Sequence, residues 1–380
     1  YENSDILNQK SKVLDGILNG EIVRYYKSGE VMSQGSFING KKEGEFTNYY
    51  ESGEILNSFN FVNDLKQGKS ETYFKSGNMK NRFTYLNDSI NGTVFSYLES
   101  GELIVELNYE IGKREGKQID YFKSGNIKNV QNYENDFLQG PVIEYYESGQ
   151  IKIKGNYDRN KYNGPLIYYY ESGKINGRVT MIDGRKNGLE ISYYESGNVY
   201  GRVKYDDGLR YGKETWFYES GEVSIIQTYI NNLIEGETVL FYKTGEIKSK
   251  VINVNGLRQG DLITYYKSDK VKSKTNYVNG LKQGQSIGYF ESGEIEFKVN
   301  YIDDLLQGQG VRYYISGERL SISNFINGLN QGKTIFYLKS GEIDKIRFYK
   351  DGKIIDNRLA LVIGNANYEK GPLENPVNDA

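Results

Sequence analysis

The stretch Gly20-Glu-Ile-Val-Arg-Tyr-Tyr-Lys-Ser-Gly-Glu-Val31, followed by Phe37-Ile-Asn-Gly40, decides the fold of this chain. It returns every 24 residues without an insertion or a deletion. Its first glycine recurs in fourteen consecutive copies, from Gly20 to Gly332. We number positions in the repeat after this first copy, so that position 26 denotes Tyr26 and its equivalents. A period this strict indicates an array that grows by stacking repeats, and not a globular domain with a single core.

Each copy of the repeat predicts two strands and two turns. The first strand is predicted at roughly positions 21–26, where β-branched residues are favoured at position 23 and aromatic residues at positions 25 and 26, a pattern typical of a strand. Lys27-Ser28-Gly29 predicts a three-residue hairpin loop with glycine in the left-handed conformation, and Asn39-Gly40 predicts a second turn at positive φ. From the loop length we expect position 25 opposite 31 and position 23 opposite 33. Positions 23, 25, 31 and 37 would then share one face, and positions 24, 26, 32 and 34 the other.

The predicted fold is all-β. We expect an elongated, single-layer antiparallel β-hairpin ribbon of about fourteen 24-residue repeats. Helical repeats are excluded by the density of glycine and β-branched residues. Leucine-rich repeats have a similar period, but their Leu-x-x-Leu-x-Leu strand is missing from this sequence.

Composition excludes several classes of function. The 380 residues include 48 basic and 50 acidic ones, and a net charge of −2 argues against a nucleic-acid partner. Cysteine and histidine are absent, so we expect no thiolate nucleophile, no histidine base, no metal site and no cofactor. The longest apolar run, Leu359–Ile363, is too short for a transmembrane segment. Contact with lipid remains an open alternative, although no feature of the sequence favours it.

Two further expectations concern the ends and the location of the chain. The sequence opens on Tyr1 and inside a repeat, which favours an incomplete N-terminus. No signal peptide is visible, and a cytoplasmic location is favoured.

The repeat resembles the bacterial variant of the MORN repeat. The pattern that carries this resemblance is Gly-x4-Tyr-Tyr-Glu-Ser-Gly-x-Ile-x5-Tyr-x-Asn-Gly-x3-Gly. We assign residues 1–357 to a MORN-like β-hairpin repeat array on this basis. The resemblance implies a ribbon that serves protein–protein contact, dimerisation or lipid-associated scaffolding, and it implies no common catalytic activity.

The repeat pattern ends at Asp356, which occupies the place of the next position-20 glycine. Arg358-Leu-Ala-Leu-Val-Ile-Gly-Asn365 follows, and its unbroken apolar run predicts a strand buried on both faces of an α/β sheet. Together with Tyr368 and Pro372-Leu-Glu-Asn-Pro-Val-Asn-Asp-Ala380, this segment resembles the opening of a caspase-family peptidase domain of the caspase, metacaspase and paracaspase clan. The first strand of any other α/β domain is the alternative.

The caspase resemblance carries expectations for residues 358–380. They would be the truncated start of the peptidase domain, with its catalytic His and Cys downstream of this chain. The resemblance also implies that Asp379 lines the pocket for the side chain before the cleaved bond. We expect no catalytic residue within the chain, which should be inactive by itself.

Recognition is expected on the polar face of the repeats. Position 25 is interpreted as a packing ladder, whereas position 26 lies beside basic residues and is the better candidate for binding. The evenly spaced glutamates of position 30 are interpreted as structural, because catalysis needs one asymmetric pair in a cleft. The predicted recognition face comprises Tyr26, Tyr50, Tyr146, Tyr170, Tyr194, Lys152, Lys154, Arg178 and Arg202.

Three functions remain open from the sequence. The first is the interaction or sensor region of a caspase-like cysteine endopeptidase, in which the ribbon binds a protein partner or associates with itself. The second is a non-catalytic MORN-repeat scaffold or an antitoxin-like protein-binding module. The third is a cell-wall or carbohydrate-binding aromatic repeat, although such modules are usually rich in Trp and Trp216 is the only Trp here.

Overall fold

The computed structural model describes residues 9–356, and every regular element within that range is a β-strand. The predicted all-β class and its antiparallel hairpins are confirmed. The caspase-like segment, residues 358–380 with Asp379, lies outside the described residues.

The chain divides into two compact units. One contains the residues up to 198 together with 205–208, and the other contains 199–204 together with the residues from 209 onward. The first unit holds β1 (Gln9–Leu14), β2 (Ile17–Tyr25), β3 (Val31–Ile38), β4 (Lys41–Tyr49), β5 (Ile55–Val62), β6 (Leu65–Tyr73), β7 (Met79–Leu86), β8 (Ser89–Ile90), β9 (Gly92–Tyr97), β10 (Leu103–Glu110), β11 (Lys113–Tyr121), β12 (Ile127–Glu134), β13 (Phe137–Leu138), β14 (Gly140–Tyr145), β15 (Ile151–Asp158), β16 (Lys161–Tyr162), β17 (Gly164–Tyr169), β18 (Ile175–Ile182) and β19 (Arg185–Tyr193).

The strand β20 (Val199–Asp206) is divided between the units. The second unit continues with β21 (Leu209–Arg210), β22 (Gly212–Phe217), β23 (Val223–Ile230), β24 (Leu233–Ile234), β25 (Gly236–Phe241), β26 (Ile247–Val254), β27 (Leu257–Tyr265), β28 (Val271–Val278), β29 (Leu281–Tyr289), β30 (Ile295–Ile302), β31 (Leu305–Leu306), β32 (Gly308–Tyr313), β33 (Arg319–Ile326), β34 (Leu329–Asn330), β35 (Gly332–Tyr337), β36 (Ile343–Lys350) and β37 (Lys353–Asp356).

Both predicted turns are confirmed. At the first turn the N–H of Gly29 donates to the Tyr26 carbonyl at 3.0 Å, and Gly29 has a φ of 91°. At the second, Asn39 and Gly40 have φ values of 50° and 79°, the two positive values that a type I′ turn requires. Ile111 occupies position 39 at a φ of 46°, a conformation that costs a β-branched residue on the order of 1–3 kcal/mol.

The predicted register is correct at the hairpin tip and wrong beyond it. Position 25 faces position 31, as Tyr25 faces Val31, but Val23 faces Gln34 and not Ser33. The pairing shifts between positions 24 and 25, so the second strand carries one extra residue there, which is a β-bulge. The same shift recurs in hairpins of both units. Because side chains alternate along a strand, one extra residue exchanges the faces of every position that follows it.

The invariant glycine of position 20 marks a second irregularity of the ladder. Between β3 and β4 the register shifts again, next to Gly44. All fourteen glycines of this position have positive φ, from 69° at Gly212 to 121° at Gly20. A Cβ on Gly44 would meet no heavy atom within 4 Å, so backbone conformation and not space demands glycine here.

One side of each hairpin, which we call the packed face, carries positions 18, 22, 24, 33, 35 and 37. Phe46 of position 22 makes edge-on ring contacts with Phe37 and Phe61, at centroid distances of 5.6 and 5.1 Å. Positions 22, 35 and 37 also supply a buried cluster of Leu166, Val179 and Met181. Position 37, which we predicted to share a face with position 23, therefore lies on the opposite side.

The other side, which we call the open face, carries positions 21, 23, 25 and 34. Ser58 of position 34 donates from its Oγ to Glu45 Oε1 at 2.5 Å. The Arg82 guanidinium, also at position 34, lies 4.6 Å from the centroid of the Phe95 ring. Position 24 was predicted to share this face with position 34, but the bulge moves it to the packed face.

Glycines on the packed face make room for large side chains across the strand pair. Gly201 faces Trp216, and a Cβ on Gly201 would come within 2.4 Å of the indole ring. Gly288 stands in the same relation to Phe297, where the distance would be 2.0 Å. Small and large residues thus alternate so that the rings fill the space above a bare backbone.

We predict that Gly201→Ala destabilises the second unit by about 1–3 kcal/mol, because the indole must move away from the new methyl group. The fluorescence of Trp216, the only Trp, reports the displacement directly, and urea unfolding followed by circular dichroism, which reports both units, gives the free energy. Gly177→Ala is the matched control at position 33, since its Cβ would meet its nearest atom, the Ile191 carbonyl oxygen, at 3.5 Å. Equal effects of the two substitutions would contradict the prediction.

Candidate binding surfaces

The tyrosines of position 26 form hydrogen bonds between successive repeats. The Tyr26 hydroxyl donates to the carbonyl of Tyr49 at 2.6 Å, one repeat further along the chain. Tyr50, Tyr146 and Tyr170 donate in the same way, at 3.0, 2.8 and 2.7 Å. Tyr194 occupies the equivalent site, where its N–H donates to the Asn198 carbonyl at 2.8 Å. These residues of the predicted recognition face thus have a structural role, and their role in binding stays a prediction.

The basic residues of the predicted recognition face lie in two places. Lys152 of position 32 lies near the hairpin tip, with its Nζ 5.8 Å from the centroid of the Tyr146 ring. Lys154, Arg178 and Arg202 occupy position 34 and pair with position 23 on the open face. The sequence-based prediction placed positions 26, 32 and 34 on one face, because the register from which it was derived did not contain the bulge.

A row of cations covers the aromatic rings of position 37 on the packed face. Lys42 Nζ lies 4.8 Å from the centroid of the Phe61 ring, and the Arg114 guanidinium lies 4.4 Å from that of Tyr133. Further pairs of this kind are Lys66 with Tyr85, Lys186 with Tyr205, Arg210 with Tyr229, Arg258 with Tyr277 and Lys282 with Tyr301. These cation–π contacts shield the rings, so position 37 has a structural role.

Polar side chains at position 19 accept hydrogen bonds from the second turn, and the sequence analysis missed them. The Asn63 N–H donates to Glu43 Oε2 at 2.9 Å, and the Asn87 N–H donates to Gln67 Oε1 at 3.0 Å. The same contact recurs with Asn91, Glu115, Gln139, Glu235, Gln259, Gln307 and Gln331 as acceptors. Their recurrence immediately before the position-20 glycine was the signal that could have revealed them.

The glutamates of position 30 belong to the hairpin turns, as predicted. The Ser220 hydroxyl donates to Glu222 and holds the pKa of that carboxyl below its ordinary value. A backbone N–H acts in the same direction, as does the nearby charge of Lys243. Glu54, Glu102, Glu246, Glu294 and Glu318 have lowered pKa values from the same first cause, a hydroxyl two residues earlier.

Two tyrosines of position 25 are hydrogen-bonded to carboxylates on the open face. Tyr73 donates to Glu71 at 2.5 Å, and Tyr121 donates to Glu106 at 2.7 Å. Burial, and after it these hydrogen bonds, raises the pKa of each tyrosine to about 12. Both phenols are therefore neutral donors at physiological pH.

Glu214 is the most deeply buried carboxylate among the described residues, with 1% of its surface exposed. It lies on the packed face, where Gln227 donates to it and Arg210 Nη1 lies 3.6 Å from Oε1. The Arg210 charge compensates the buried negative charge, so the arrangement is a structural ion pair. No group of three or more Asp and Glu that could hold a metal ion occurs within residues 9–356.

A groove opens on the packed face of the second unit, with a volume of about 400 Å³. Gly310 forms part of its floor, and Phe297, Tyr301, Phe325 and Tyr349 line it with aromatic rings. An aromatic lining of this kind is compatible with the carbohydrate-binding alternative. Trp216 is not part of the lining, because its ring packs over Gly201 within the fold.

An apolar stripe follows the second turns of the second unit. Positions 38 and 41, which face each other across the turn, are aliphatic in five consecutive repeats and 40–56% exposed. The stripe comprises Ile230, Leu233, Val254, Leu257, Val278, Leu281, Ile302, Leu305, Ile326 and Leu329. Leu257 leans toward the next turn, since the Cβ that Gly280 lacks would lie 3.3 Å from Leu257 Cδ2, and Leu233, Leu305 and Leu329 do the same.

Comparison with a family model identifies the repeats. The model described as the MORN repeat variant matches ten segments, which together make up more than half of the chain. They are residues 18–39, 42–63, 90–110, 114–135, 138–159, 162–183, 186–207, 210–231, 258–279 and 282–303. The chain belongs to the MORN repeat variant family.

MORN repeats are commonly protein- or membrane-interacting modules. Within the described part of this MORN array, no helix is long and apolar enough to cross a membrane. No curated protein matches the chain significantly.

Two solved structures show the extent of the likeness to known structures. The crystal structure of TcdB2-TccC3 matches at 13% identity over 87% of this chain and 19% of the matched chain, with a TM-score of 0.17. The Photorhabdus luminescens Tc holotoxin pore matches at 12% identity over 90% of this chain and 24% of the matched chain, with a TM-score of 0.15. This chain therefore spans about a fifth of those chains, and at these TM-scores the likeness carries no argument about fold or function.

The turn glutamates predict a specific pH dependence. A carboxyl whose folded pKa lies below its unfolded value stabilises the fold above the unfolded value, here 4.5. That stabilisation is lost as the pH falls through the folded pKa. We therefore expect the array to lose stability below about pH 4.5 as these glutamates become protonated.

Ser220→Ala should raise the pKa of Glu222 toward 4.5, as measured by NMR titration of the side-chain carboxyl carbon. Ser220→Thr is the matched control, because Thr244 naturally lowers the pKa of Glu246 through the same hydroxyl contact. An unchanged Glu222 titration in the alanine variant would contradict this account.

Proposed function

We propose that this MORN array is a scaffold whose second unit binds a protein partner along the apolar stripe. The observation that supports the proposal is the exposure of ten aliphatic side chains in one row. Monomeric soluble proteins rarely expose contiguous apolar area of this kind unless it contacts another molecule. A typical stable interface takes about 20–30 residues from each side, so the stripe with its flanking residues is of suitable size.

The regularity of the stripe favours a protein as the occupant. Equivalent leucines recur once per repeat, two strands apart, which is a spacing of about 10 Å. An elongated partner can contact several of them at once, and the summed burial then supplies the affinity. A second copy of this array has the same spacing, so self-association is one form of the proposal.

The predicted recognition face is a further part of this proposal. The hydroxyls of Tyr26 and Tyr50 are used within the array, so binding there would involve ring edges and the nearby ammonium groups. The open-face cations at position 34 would contact a partner separately from the hairpin tips.

The stripe is tested with the double substitution Leu257→Ser and Leu281→Ser. Leu338→Ser with Ile343→Ser is the matched control, because those side chains are 45% and 55% exposed in the same unit but outside the stripe. Sedimentation velocity over a range of concentrations measures self-association, and cross-linking with mass spectrometry in extracts of the native cell locates partner contacts.

We expect wild type and control to form the same complex, with cross-links near the stripe at Lys282, and the stripe variant to lose it. A wild-type chain that stays monomeric and yields no cross-link near the stripe would reject the proposal. The proposal would also be rejected if the stripe variant formed the complex with the same affinity as wild type.

A second candidate rests on the sequence of residues 358–380. The caspase-like pattern that ends in Asn378-Asp-Ala380 supports a role of the array as the partner-binding region of a cysteine endopeptidase, with Asp379 in its substrate pocket. The family match supports the scaffold and contains nothing that links it to a peptidase. If the gene encodes residues beyond Ala380, a His and then a Cys, each following a strand, are expected there; a continuation without them would eliminate this candidate.

A further inference from the structure

We propose that residues 242–274 form a binding site for an acidic protein segment. This stretch has seven lysines and Arg258 against three carboxylates, whereas the whole chain has 48 basic and 50 acidic residues. Arg258 covers the Tyr277 ring on the packed face, so it belongs to another surface. Lys250 and Lys274 of position 34 pair with position 23 on the open face. We call the lysines at the hairpin tips the lysine patch, which comprises Lys243, Lys248, Lys267, Lys270 and Lys272. The patch differs from the apolar stripe in place and chemistry, and the proposal does not depend on the stripe.

Aromatic rings hold several of these lysines in place. Lys248 and Lys267 both lie over the Tyr242 ring, at 5.9 and 6.0 Å from its centroid. Lys272 lies 5.4 Å from the centroid of the Tyr266 ring. Each ring is itself fixed, since the Tyr242 and Tyr266 hydroxyls donate to backbone carbonyls of the next repeat at 2.8 Å. Ordered ammonium groups lose less side-chain entropy when they bind an anion.

The patch carries more positive charge than its own carboxylates neutralise. Asp261 is engaged by Lys274, with an Nζ–Oδ2 distance of 2.8 Å. Lys243, Lys267 and Lys270 lie near Glu222, Glu246 and Glu294. Among the described residues, Lys248 and Lys272 have tyrosine rings beside them and no carboxylate within ion-pair distance. Lys248 and Lys272 are also exposed to solvent, so an incoming anion can reach them.

The repeat sequence changes at the same place. Thr244 is the only non-serine of position 28, and Asp269 is the only non-glycine of position 29 in the complete copies. Lys270 stands at position 30, where glutamate is the most frequent residue. The substitution of Glu by Lys changes the local charge by two units in the direction that favours an anionic partner.

The surroundings favour a carboxylate-bearing polypeptide over nucleic acid or a membrane. Single-stranded nucleic acids bind by stacking bases on free aromatic faces, but lysines lie over the rings of Tyr242, Tyr265 and Tyr266. A net charge of −2 supplies no wide positive field for a polyanion or an anionic bilayer. The lysine patch lies on two adjacent hairpins, so its length matches a short polypeptide segment.

The spacing of the lysines agrees with an extended chain. Lys248 and Lys272 are equivalent residues of neighbouring repeats, two strands or about 10 Å apart. Three residues of an extended polypeptide span the same length, so acidic side chains at every third position match the two repeats.

The equivalent region of the first unit provides the contrast. Lys128 and Lys152 also lie over aromatic rings, at 5.9 and 5.8 Å. In that region, residues 122–154 contain four lysines against four carboxylates. The same local geometry there lacks the excess of positive charge, so we expect weak binding.

Binding is tested on the full chain by fluorescence anisotropy with a fluorescein-labelled peptide of ten glutamates. The double substitution K248Q and K272Q should weaken binding about tenfold, since each exposed ion pair contributes up to about 1 kcal/mol. The double substitution K128Q and K152Q, at position 32 of the first unit, is the matched control and should change the affinity less than about threefold. Circular dichroism verifies that both variants retain strand content.

Binding should also weaken when NaCl is raised from about 50 to about 300 mM, as expected for exposed charges. An oligothymidine of ten nucleotides and phosphatidylserine vesicles are the competing probes. The proposal fails if the peptide does not bind, if the two double variants behave alike, or if either competing probe binds more tightly than the peptide through the same lysines. The apolar-stripe variant should bind the peptide normally, which separates this test from that of the scaffold.

Discussion

The extra residue of the second strand decides which side chains share a face, and most other features of the array depend on it. Tyr25 still faces Val31 at the tip, but from Arg24 and Ser33 onward the pairing is displaced by one. A displacement of one residue turns every later side chain to the opposite side of the sheet. Position 37 therefore joins position 22 on the packed face, where rings and aliphatic groups bury one another.

Hydrogen bonds between repeats maintain this arrangement along each unit. At the hairpin tips the position-26 hydroxyl reaches a carbonyl of the next repeat, as Tyr242 reaches Tyr265. At the opposite turns the N–H of position 40 donates to a carbonyl of position 18, as Gly280 donates to Arg258 at 2.9 Å. The most regular residues of the repeat are thus used for its own assembly. Recognition is left to positions that vary, such as the lysines of 242–274.

The sequence alone predicts the elements of the fold well, because strands and turns depend on local residue types. Lys27-Ser28-Gly29 and Asn39-Gly40 determine their turns through backbone conformations that few residues adopt. The faces could not be derived in the same way, since a bulge arises from pairing between strands and position 32 carries no distinctive residue type. The lateral contacts of Glu43 and Gln67 were missed for the same reason, because they join residues twenty apart in sequence.

The most direct test of the bulged register uses disulfide formation, since the chain has no native Cys. Cysteines at Val239 and Lys250, which face each other in β25 and β26, should form a disulfide under mild oxidation. Cysteines at Val239 and Ser249 should not, because their side chains point to opposite faces. The register would be contradicted if the cysteine pair at Val239 and Ser249 formed a disulfide rapidly and the pair at Val239 and Lys250 formed none. The assignment of the two faces would then be wrong as well.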